Sequence, residues 1–283
     1  MSLTVFFTVL GAALLHASWN ALVKSGHDKL MSMTAIVIGH APLGALVLLF
    51  VPLPSSESYP YILASILLHA GYQIFLLNSY KVGDLTQVYP IARGSAPLIV
   101  TLFSVIILGV QLGVLQLLSI IIIAVGIISL GFVRREAATQ NFAATRLALT
   151  TGLFIASYSI VDGLGARISG SSWGFYSYMT IGNALLAALY LSFASPRTLG
   201  LLWFKGQTIL IFGGSASFLS YGIVTWAFTQ APIAVVTALR ETSIVFALLL
   251  GVFFLRERLD LVKVFSTVLT LTGTLLLRLA KGE

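Results

Sequence analysis

The chain has 283 residues, of which 58% are hydrophobic and 9% are charged. This composition excludes a single soluble domain, because the core of a soluble domain of this length could not bury so much apolar surface. The formal net charge of +7 would point to nucleic acid in a soluble protein, but in a chain surrounded by lipid it records which connections face the cytoplasm.

Apolar segments recur along the whole chain, and most reach the ~20 residues that cross ~30 Å of hydrocarbon. In the first half they are 3–23, 31–51, 61–80, 86–110 and 115–133, which we number segments 1 to 5. In the second half they are 147–165, 175–193, 207–228, 233–255 and 261–279, which we number segments 6 to 10. An open β-sheet is excluded because lipid cannot satisfy its backbone edges. The sequence therefore predicts an all-α polytopic membrane protein with about ten transmembrane helices.

The basic residues predict the orientation of these segments. Most of the 16 Lys and Arg lie in or beside the connections 1–2, 3–4, 5–6, 7–8 and 9–10, whereas the opposite side has Arg167, Arg278 and Lys281. By the positive-inside rule, those odd-numbered connections are cytoplasmic and both termini face outward. Segment 1 is predicted to be a span and not a secretory signal, because no basic residue precedes it and further spans follow.

The two halves of the chain share a pattern. At one constant offset, segments 4–5 align with segments 9–10, which pairs Arg93 with Arg240, Leu112 with Leu259, Ser119 with Ser266 and Gly126 with Gly273. After a small gap, Ala17-Ser18-Trp19 also aligns with Ala156-Ser157-Tyr158. An odd number of crossings per half inverts the second half, which is the architecture of many secondary transporters. We therefore predict a first five-helix repeat over 1–135, a cytoplasmic linker over 136–146 and an inverted second repeat over 147–283.

Three short motifs carry a family resemblance. They are His16-Ala-Ser-Trp19-Asn20 in segment 1, Val88-Tyr89-Pro90-Ile-Ala-Arg93-Gly94 in segment 4, and Leu255-Arg-Glu257-Arg-Leu before segment 10. Together with the five-plus-five plan, they resemble the EamA-type members of the drug/metabolite transporter superfamily, and among these the YddG-like amino-acid exporters. The first half departs from the family pattern, because Val110 stands where Glu257 stands in the second half.

The resemblance implies a basket of ten helices around a central cavity, with segments 5 and 10 more peripheral. It implies a secondary transporter in the bacterial inner membrane, monomeric or weakly dimeric, which exports small organic solutes by alternating access. Amino acids are the expected substrates. Amines, drugs, sugars and phosphonate-type metabolites are alternative substrates, and a lipid-headgroup flippase is the alternative activity.

Arg93 and Arg240 lie within apolar segments, where inserting an Arg costs about 2.5–3.5 kcal/mol. They are therefore expected to face the protein interior or a water-filled cavity. A guanidinium binds a carboxylate through two parallel hydrogen bonds, so each Arg is a candidate for the carboxylate of a substrate. The alternative is a structural Arg that binds helix carbonyls or closes a gate.

Asp162 and Glu241 are the acids expected within the membrane. Asp162, near the outer end of segment 6, lies at a depth similar to that of Arg240 and is expected to pair with it. Glu241 follows Arg240 and points about 100° around the helix from it. Either carboxylate is a candidate for a coupling proton, and an outer gate is the alternative for Asp162.

Aromatic and neutral polar side chains are predicted to line the cavity around the two Arg. They are His16, Trp19, Asn20, His69, Tyr72, Gln73, Tyr89, Tyr158, Tyr221 and Trp226. Such a lining suits amphipathic zwitterions or flat organic molecules more than bare ions. Each residue also has a structural alternative, since Trp and Tyr near helix ends often anchor a protein at the membrane interface.

Pro90 and Pro97 lie one heptad apart in segment 4, and each removes a backbone hydrogen bond. A hinge for alternating access and a permanent bend around the cavity are both consistent with this spacing.

The sequence has no glycine-rich phosphate loop, no His-Glu-x-x-His zinc motif and no cysteine. We therefore predict no cofactor, no metal site, no nucleic-acid partner and no enzymatic activity. A membrane scaffold is a further alternative, but it would leave the cost of the intramembrane Arg and acids unexplained.

Overall fold

The computed structural model describes residues 1–25, 28–83, 85–132, 142–253 and 261–280. Within these ranges every regular element is helical, which confirms the predicted all-α class. The motif predicted at 255–259, residues 136–141 of the predicted linker, and Lys281 lie outside the described residues.

The first half of the chain forms five helices. They are α1 (Leu3–Ser25), α2 (Lys29–Val47), α3 (Tyr59–Val82), α4 (Leu85–Ile106) and α5 (Val114–Ser129). The second half forms seven, namely α6 (Phe142–Ile168), α7 (Ser172–Ala194), α8 (Pro196–Lys205), α9 (Gly214–Gln230), α10 (Ile233–Arg240), α11 (Ser243–Phe253) and α12 (Leu261–Leu279).

Nine helical stretches of the described residues are long and apolar enough to cross a membrane. One of them, Ile209–Gln230, joins a π-helical turn to α9, and another, Ile233–Phe253, contains both α10 and α11. Val114–Ser129 is apolar but shorter. These stretches correspond to the ten predicted segments, so the polytopic helical plan is confirmed.

Helix α6 begins earlier than predicted. Its first residue, Phe142, lies inside the predicted linker 136–146. Ala144 and Ala148 are buried against Val88 and Ile91 of α4, so packing extends the helix beyond its apolar run.

Helix α8 was not predicted. It begins at Pro196, a residue favoured at the first helical position, and follows α7 after Ser195. Leu202 is buried, whereas Phe204 is 83% exposed and Arg197 and Lys205 are exposed. A helix this short and this mixed in polarity falls below the length by which spans are identified from sequence.

Each helix of the first half packs against a helix of the second half. The pairs are α1 with α9, α2 with α7, α3 and α4 with α6, and α5 with α12. Glycine permits the closest approaches, as small residues do in membrane bundles. A Cβ at Gly39 of α2 would fall against the carbonyl oxygen of Leu210, and Gly214 of α9 faces Gly39 across the same contact.

The contact between α5 and α12 is reciprocal. A Cβ on Gly126 would lie 3.2 Å from the carbonyl oxygen of Ser266, and a Cβ on Gly273 would lie 2.9 Å from the carbonyl oxygen of Ser119. The Ser266 hydroxyl donates a hydrogen bond to the Gly126 carbonyl. These four residues are two of the pairs that the sequence offset aligned. The division into two inverted repeats stays a prediction, and this reciprocity is consistent with it.

We expect Gly39→Ala to lower the free energy of unfolding by about 1–3 kcal/mol, because the added Cβ forces α2 away from a backbone carbonyl that cannot rotate aside. Thermal unfolding of the purified protein in detergent micelles measures this. The matched control is Gly11→Ala in α1, where a Cβ has no neighbour within 4 Å. Equal midpoints for the two variants would show that the α2–α9 approach does not depend on glycine.

Candidate functional site

A central cavity of about 110 Å³ lies between the two halves. Residues of α1, α2, α3, α4, α6, α7, α9 and α10 line it. Aromatic and polar side chains dominate the lining, which consists of His16, Trp19, Met33, Ile36, Val37, His40, His69, Tyr72, Gln73, Arg93, Tyr158, Tyr176, Met179, Thr180, Asn183, Ser217, Tyr221 and Arg240.

Predicted segment 9 is interrupted at the cavity. Helix α10 ends at Arg240 and α11 begins at Ser243. At the break, the backbone N–H groups donate to the carbonyl three residues earlier, from Glu241 N to Ala238 O and from Thr242 N to Leu239 O, each at 3.1 Å. Residues 240–243 are at most 2% exposed. Irregular backbone at membrane depth is tolerated where protein surrounds it. Residues 240–243 include no Gly or Pro that would predict the break. The sequence signal for it is the charged pair Arg240-Glu241 inside an apolar run.

Arg93 of α4 is held at this break. Its Nε donates to Glu241 Oε2 at 2.7 Å, and its Nη2 donates to the Ser243 hydroxyl at 3.1 Å. Its Nη1 lies 3.3 Å from His16 Nε2 of α1. Arg93 is 3% exposed and Glu241 is fully buried. The three guanidinium nitrogens of Arg93 therefore have partners, and the ion pair joins the two halves of the chain.

Arg240 has a different environment. Its Nη2 lies 3.6 Å from Glu241 Oε1, beyond hydrogen-bond distance, and its guanidinium carbon lies 5.6 Å from the centre of the Tyr221 ring. Arg240 is 2% exposed, yet its Nε and Nη2 have no hydrogen-bond partner among the described residues. Two buried Arg thus share one buried Glu, which leaves a positive charge facing the cavity.

Asp162 forms a separate cluster. Its Oδ2 accepts a hydrogen bond from the Tyr221 hydroxyl at 2.6 Å and lies 3.0 Å from His69 Nε2. The expected ion pair with Arg240 is absent from the described ion pairs. The physical reason is the position of Tyr221, whose ring face lies toward Arg240 while its hydroxyl binds Asp162.

Aromatic rings connect these charged groups. The Tyr158 ring stacks on His69 with centres 4.0 Å apart and meets Tyr72 edge to face at 5.6 Å. Tyr221 meets Tyr158 edge to face at 5.9 Å. The surfaces between the Arg pair and Asp162 are therefore faces and edges of aromatic rings.

Most of the predicted cavity residues line this cavity, namely His16, Trp19, His69, Tyr72, Gln73, Arg93, Tyr158, Tyr221 and Arg240. The side chain of Asn20 donates to the carbonyl of His16 in its own helix. Tyr89 lies beside Arg93, whose guanidinium carbon is 5.8 Å from the centre of the ring. Trp226 lines a second groove.

The sequence prediction missed the lining from α2 and α7. It omitted His40, Tyr176, Thr180 and Asn183. A polar residue inside an apolar run, such as His40 or Asn183, was the available signal.

Pro90 and Pro97 are both buried inside α4, which continues through them from Leu85 to Ile106. The hinge stays a prediction.

The second groove has a volume of about 360 Å³ and lies at the α6–α7 turn. Arg167 lies in it and donates to the carbonyls of Phe228 and Ala231, each at 2.9 Å. Nearby, Ser55 donates through its backbone N to Ser169 O at 2.9 Å. Trp173 lines this groove and contacts Tyr176, which lines the central cavity, with ring centres 6.3 Å apart. The Trp173–Tyr176 contact therefore joins the lining of the groove to the lining of the cavity.

Residues 170–174, Gly-Ser-Ser-Trp-Gly, match the Gly-x-Ser-x-Gly pattern of hydrolases. That pattern requires a strand before the serine and a helix after it. Here the element before the serine is helix α6, and the pattern runs from the α6–α7 turn into the first turn of α7.

The Arg93–Glu241 ion pair predicts that replacing Glu241 destabilises the protein more than replacing Arg93 does. We expect Glu241→Gln to lower the free energy of unfolding by about 3–5 kcal/mol, because it leaves two buried Arg without a carboxylate. Arg93→Gln should cost less, since Glu241 retains Arg240 at 3.6 Å. The double variant should cost less than the sum of the two single changes.

Denaturant or thermal unfolding in micelles, analysed as a double-mutant cycle, measures these differences. Additive effects of the two single changes would contradict the pairing.

Residues 144–279, from the first turn of α6 to the end of α12, match the EamA-like transporter family. No curated protein matches the chain. Twenty-eight chains of solved structures match it. One crystal structure has a TM-score of 0.78 and 16% sequence identity, and the match covers 99% of this chain and 98% of that one. At that identity the likeness shows a common fold.

The multi-pass helical architecture and the match of its second half agree with each other. The segment that matches the EamA-like transporter family comprises α6 to α12 and is slightly less than half of the chain.

Proposed function

We propose that the protein is a secondary transporter that exports amino acids and binds their carboxylate at Arg240. The observation that carries this proposal is the state of the Arg240 guanidinium, which is buried, lines the cavity and has two nitrogens without a hydrogen-bond partner among the described residues. A carboxylate matches a guanidinium in charge and in its two parallel hydrogen bonds.

The charges of the site favour a zwitterion over an amine. The described lining residues include Arg93 and Arg240 but no Asp or Glu; behind them, Glu241 binds Arg93, and Asp162 binds Tyr221 and His69. A lone cation would meet the excess positive charge. An amino acid presents its carboxylate to Arg240 and its ammonium group to the other aromatic rings of the lining, Tyr72 and Tyr176, since aromatic rings attract cations.

Arg93 has a structural role in this proposal. Its nitrogens are occupied by Glu241, Ser243 and His16, so a substrate would have to displace an existing partner. At Arg240, by contrast, Nε and Nη2 have no hydrogen-bond partner to displace among the described residues. Of the two Arg that the sequence offset pairs, Arg93 would thus stabilise the structure and Arg240 would bind the substrate.

Transport would proceed by alternating access between two inverted repeats. The contacts of Trp173, Tyr176 and Arg167 at the α6–α7 turn would act as one gate, and Pro90 and Pro97 would supply a hinge in α4. We further propose that the protein lies in the bacterial inner membrane as a monomer or weak dimer, with both termini outside and the linker 136–146 in the cytoplasm.

Asp162 is the better candidate for a coupling proton. Protonation of Glu241 would break its ion pair with Arg93, whereas Asp162 has no Lys or Arg partner among the described ion pairs. The groups that face Asp162 are His69 of α3 and Tyr221 of α9, and both can share a proton with it.

The carboxylate site is tested by Arg240→Gln in proteoliposomes that transport labelled amino acids. We expect the half-saturation concentration to rise about 10- to 100-fold, as the loss of about 1.5–3 kcal/mol of charged hydrogen bonding requires. The control is Arg146→Gln, which removes an exposed Arg of α6. Unchanged transport by the Arg240 variant would contradict the proposal. Transport of amines and lipid headgroups alone would contradict it as well.

Proton coupling is tested by Asp162→Asn. We expect the wild-type flux to respond to a pH gradient and the variant flux to lose that response, because an amide cannot carry the proton. The control is Glu57→Gln, which neutralises an exposed acid between α2 and α3. A full response in the Asp162 variant would leave Asp162 with the role of a gate.

A further inference from the structure

The central cavity has a second polar wall. It consists of His40 of α2, Tyr176, Thr180 and Asn183 of α7, and Ser217 of α9, and we call it the α2–α7 wall. These three helices pack on one another, whereas the two Arg lie on α4 and α10. The cavity thus has a charged end and a neutral polar end.

Several polar atoms of the α2–α7 wall lack good partners. The Nε2 of His40 and the hydroxyl of Tyr176 are buried and have no hydrogen-bond partner among the described residues. The Nδ2 of Asn183 donates to Met179 Sδ at 2.9 Å, and a thioether is a weak acceptor. A buried polar group without a hydrogen-bond partner destabilises the protein around it. The wall is therefore suited to a ligand group that donates and accepts hydrogen bonds.

The chemistry of the wall selects a neutral group. Its side chains are imidazole, phenol, hydroxyl and amide, with no carboxylate to bind a basic side chain and no guanidinium to bind an acidic one. The Thr180 hydroxyl donates to Ser177 O at 3.0 Å, which leaves its oxygen free to accept.

The wall lies within reach of a small solute at Arg240. Tyr221 lies under the Arg240 guanidinium and contacts Tyr176 with ring centres 5.8 Å apart. Because Arg240 and this wall line the same small cavity, a solute with its carboxylate on Arg240 has room to extend its other end toward the wall.

We propose that the α2–α7 wall is a side-chain subsite that selects amino acids with a neutral amide or hydroxyl side chain over aliphatic ones. This inference rests on the proposed carboxylate site at Arg240. A site built to hydrogen-bond a substrate discriminates strongly against an analogue that lacks the group, because its own buried polar atoms then stay unpaired.

The test compares nearly isosteric pairs, asparagine with leucine and threonine with valine, in proteoliposomes that contain the full chain. We expect the wild type to prefer the polar member of each pair by at least about 10-fold in transport efficiency, the ratio that corresponds to about 1.4 kcal/mol. His40→Leu and Asn183→Leu should each lower that ratio toward one, and His40→Gln should preserve it.

The control is Ser65→Ala, which removes a buried hydroxyl without a hydrogen-bond partner that lies outside the cavity lining. It should leave the ratio unchanged. If His40→Leu fails to fold, the wild-type ratio and Asn183→Leu decide the question.

The outcomes separate this inference from the proposed function. Arg240-dependent amino-acid flux with a wild-type ratio near one would overturn the subsite and leave the carboxylate site standing. Absence of amino-acid flux in a folded wild type would overturn both.

Discussion

The buried ion pair between Arg93 and Glu241 organises the centre of this molecule. Separating two such charges inside a membrane protein is expensive, so α4 and the α10–α11 break must stay together wherever the bundle is folded. Ser243 and His16 complete the shell of Arg93, which adds α1 to the same junction. One interaction thus joins helices from both halves of the chain at the point where the backbone is irregular.

The chemistry of the cavity depends on the charged groups that the Arg93–Glu241 ion pair does not include. Glu241 neutralises one guanidinium, so Arg240 keeps its charge and its donors in the wall of the cavity. Tyr221 separates this charge from Asp162, because one side chain offers its ring to the Arg and its hydroxyl to the acid. The two carboxylates therefore lie in different environments, and the cavity has a charged end and an uncharged one.

Sequence reasoning worked where a property is local. Apolar length located the spans. Gly126 and Gly273, which the sequence offset paired, both lie in the contact between α5 and α12. Sequence reasoning failed where the packing of helices against one another determines where an element begins or ends. Helix α6 begins early because Ala144 is buried against α4, and the α10–α11 break arises where Arg240 and Glu241 must meet partners from other helices.

By itself, the sequence determined that this is an all-helical membrane protein, where its spans lie, and which intramembrane charges and aromatic residues demand an interior position. Hydrophobic length and the cost of a charge in lipid are properties of each segment alone. Only the tertiary structure decided which charges meet, because Arg93 and Glu241 are 148 residues apart and their contact depends on how two helices approach. For the same reason it alone placed His40 and Asn183 in the cavity, since the face that a helix turns inward is decided by its neighbours.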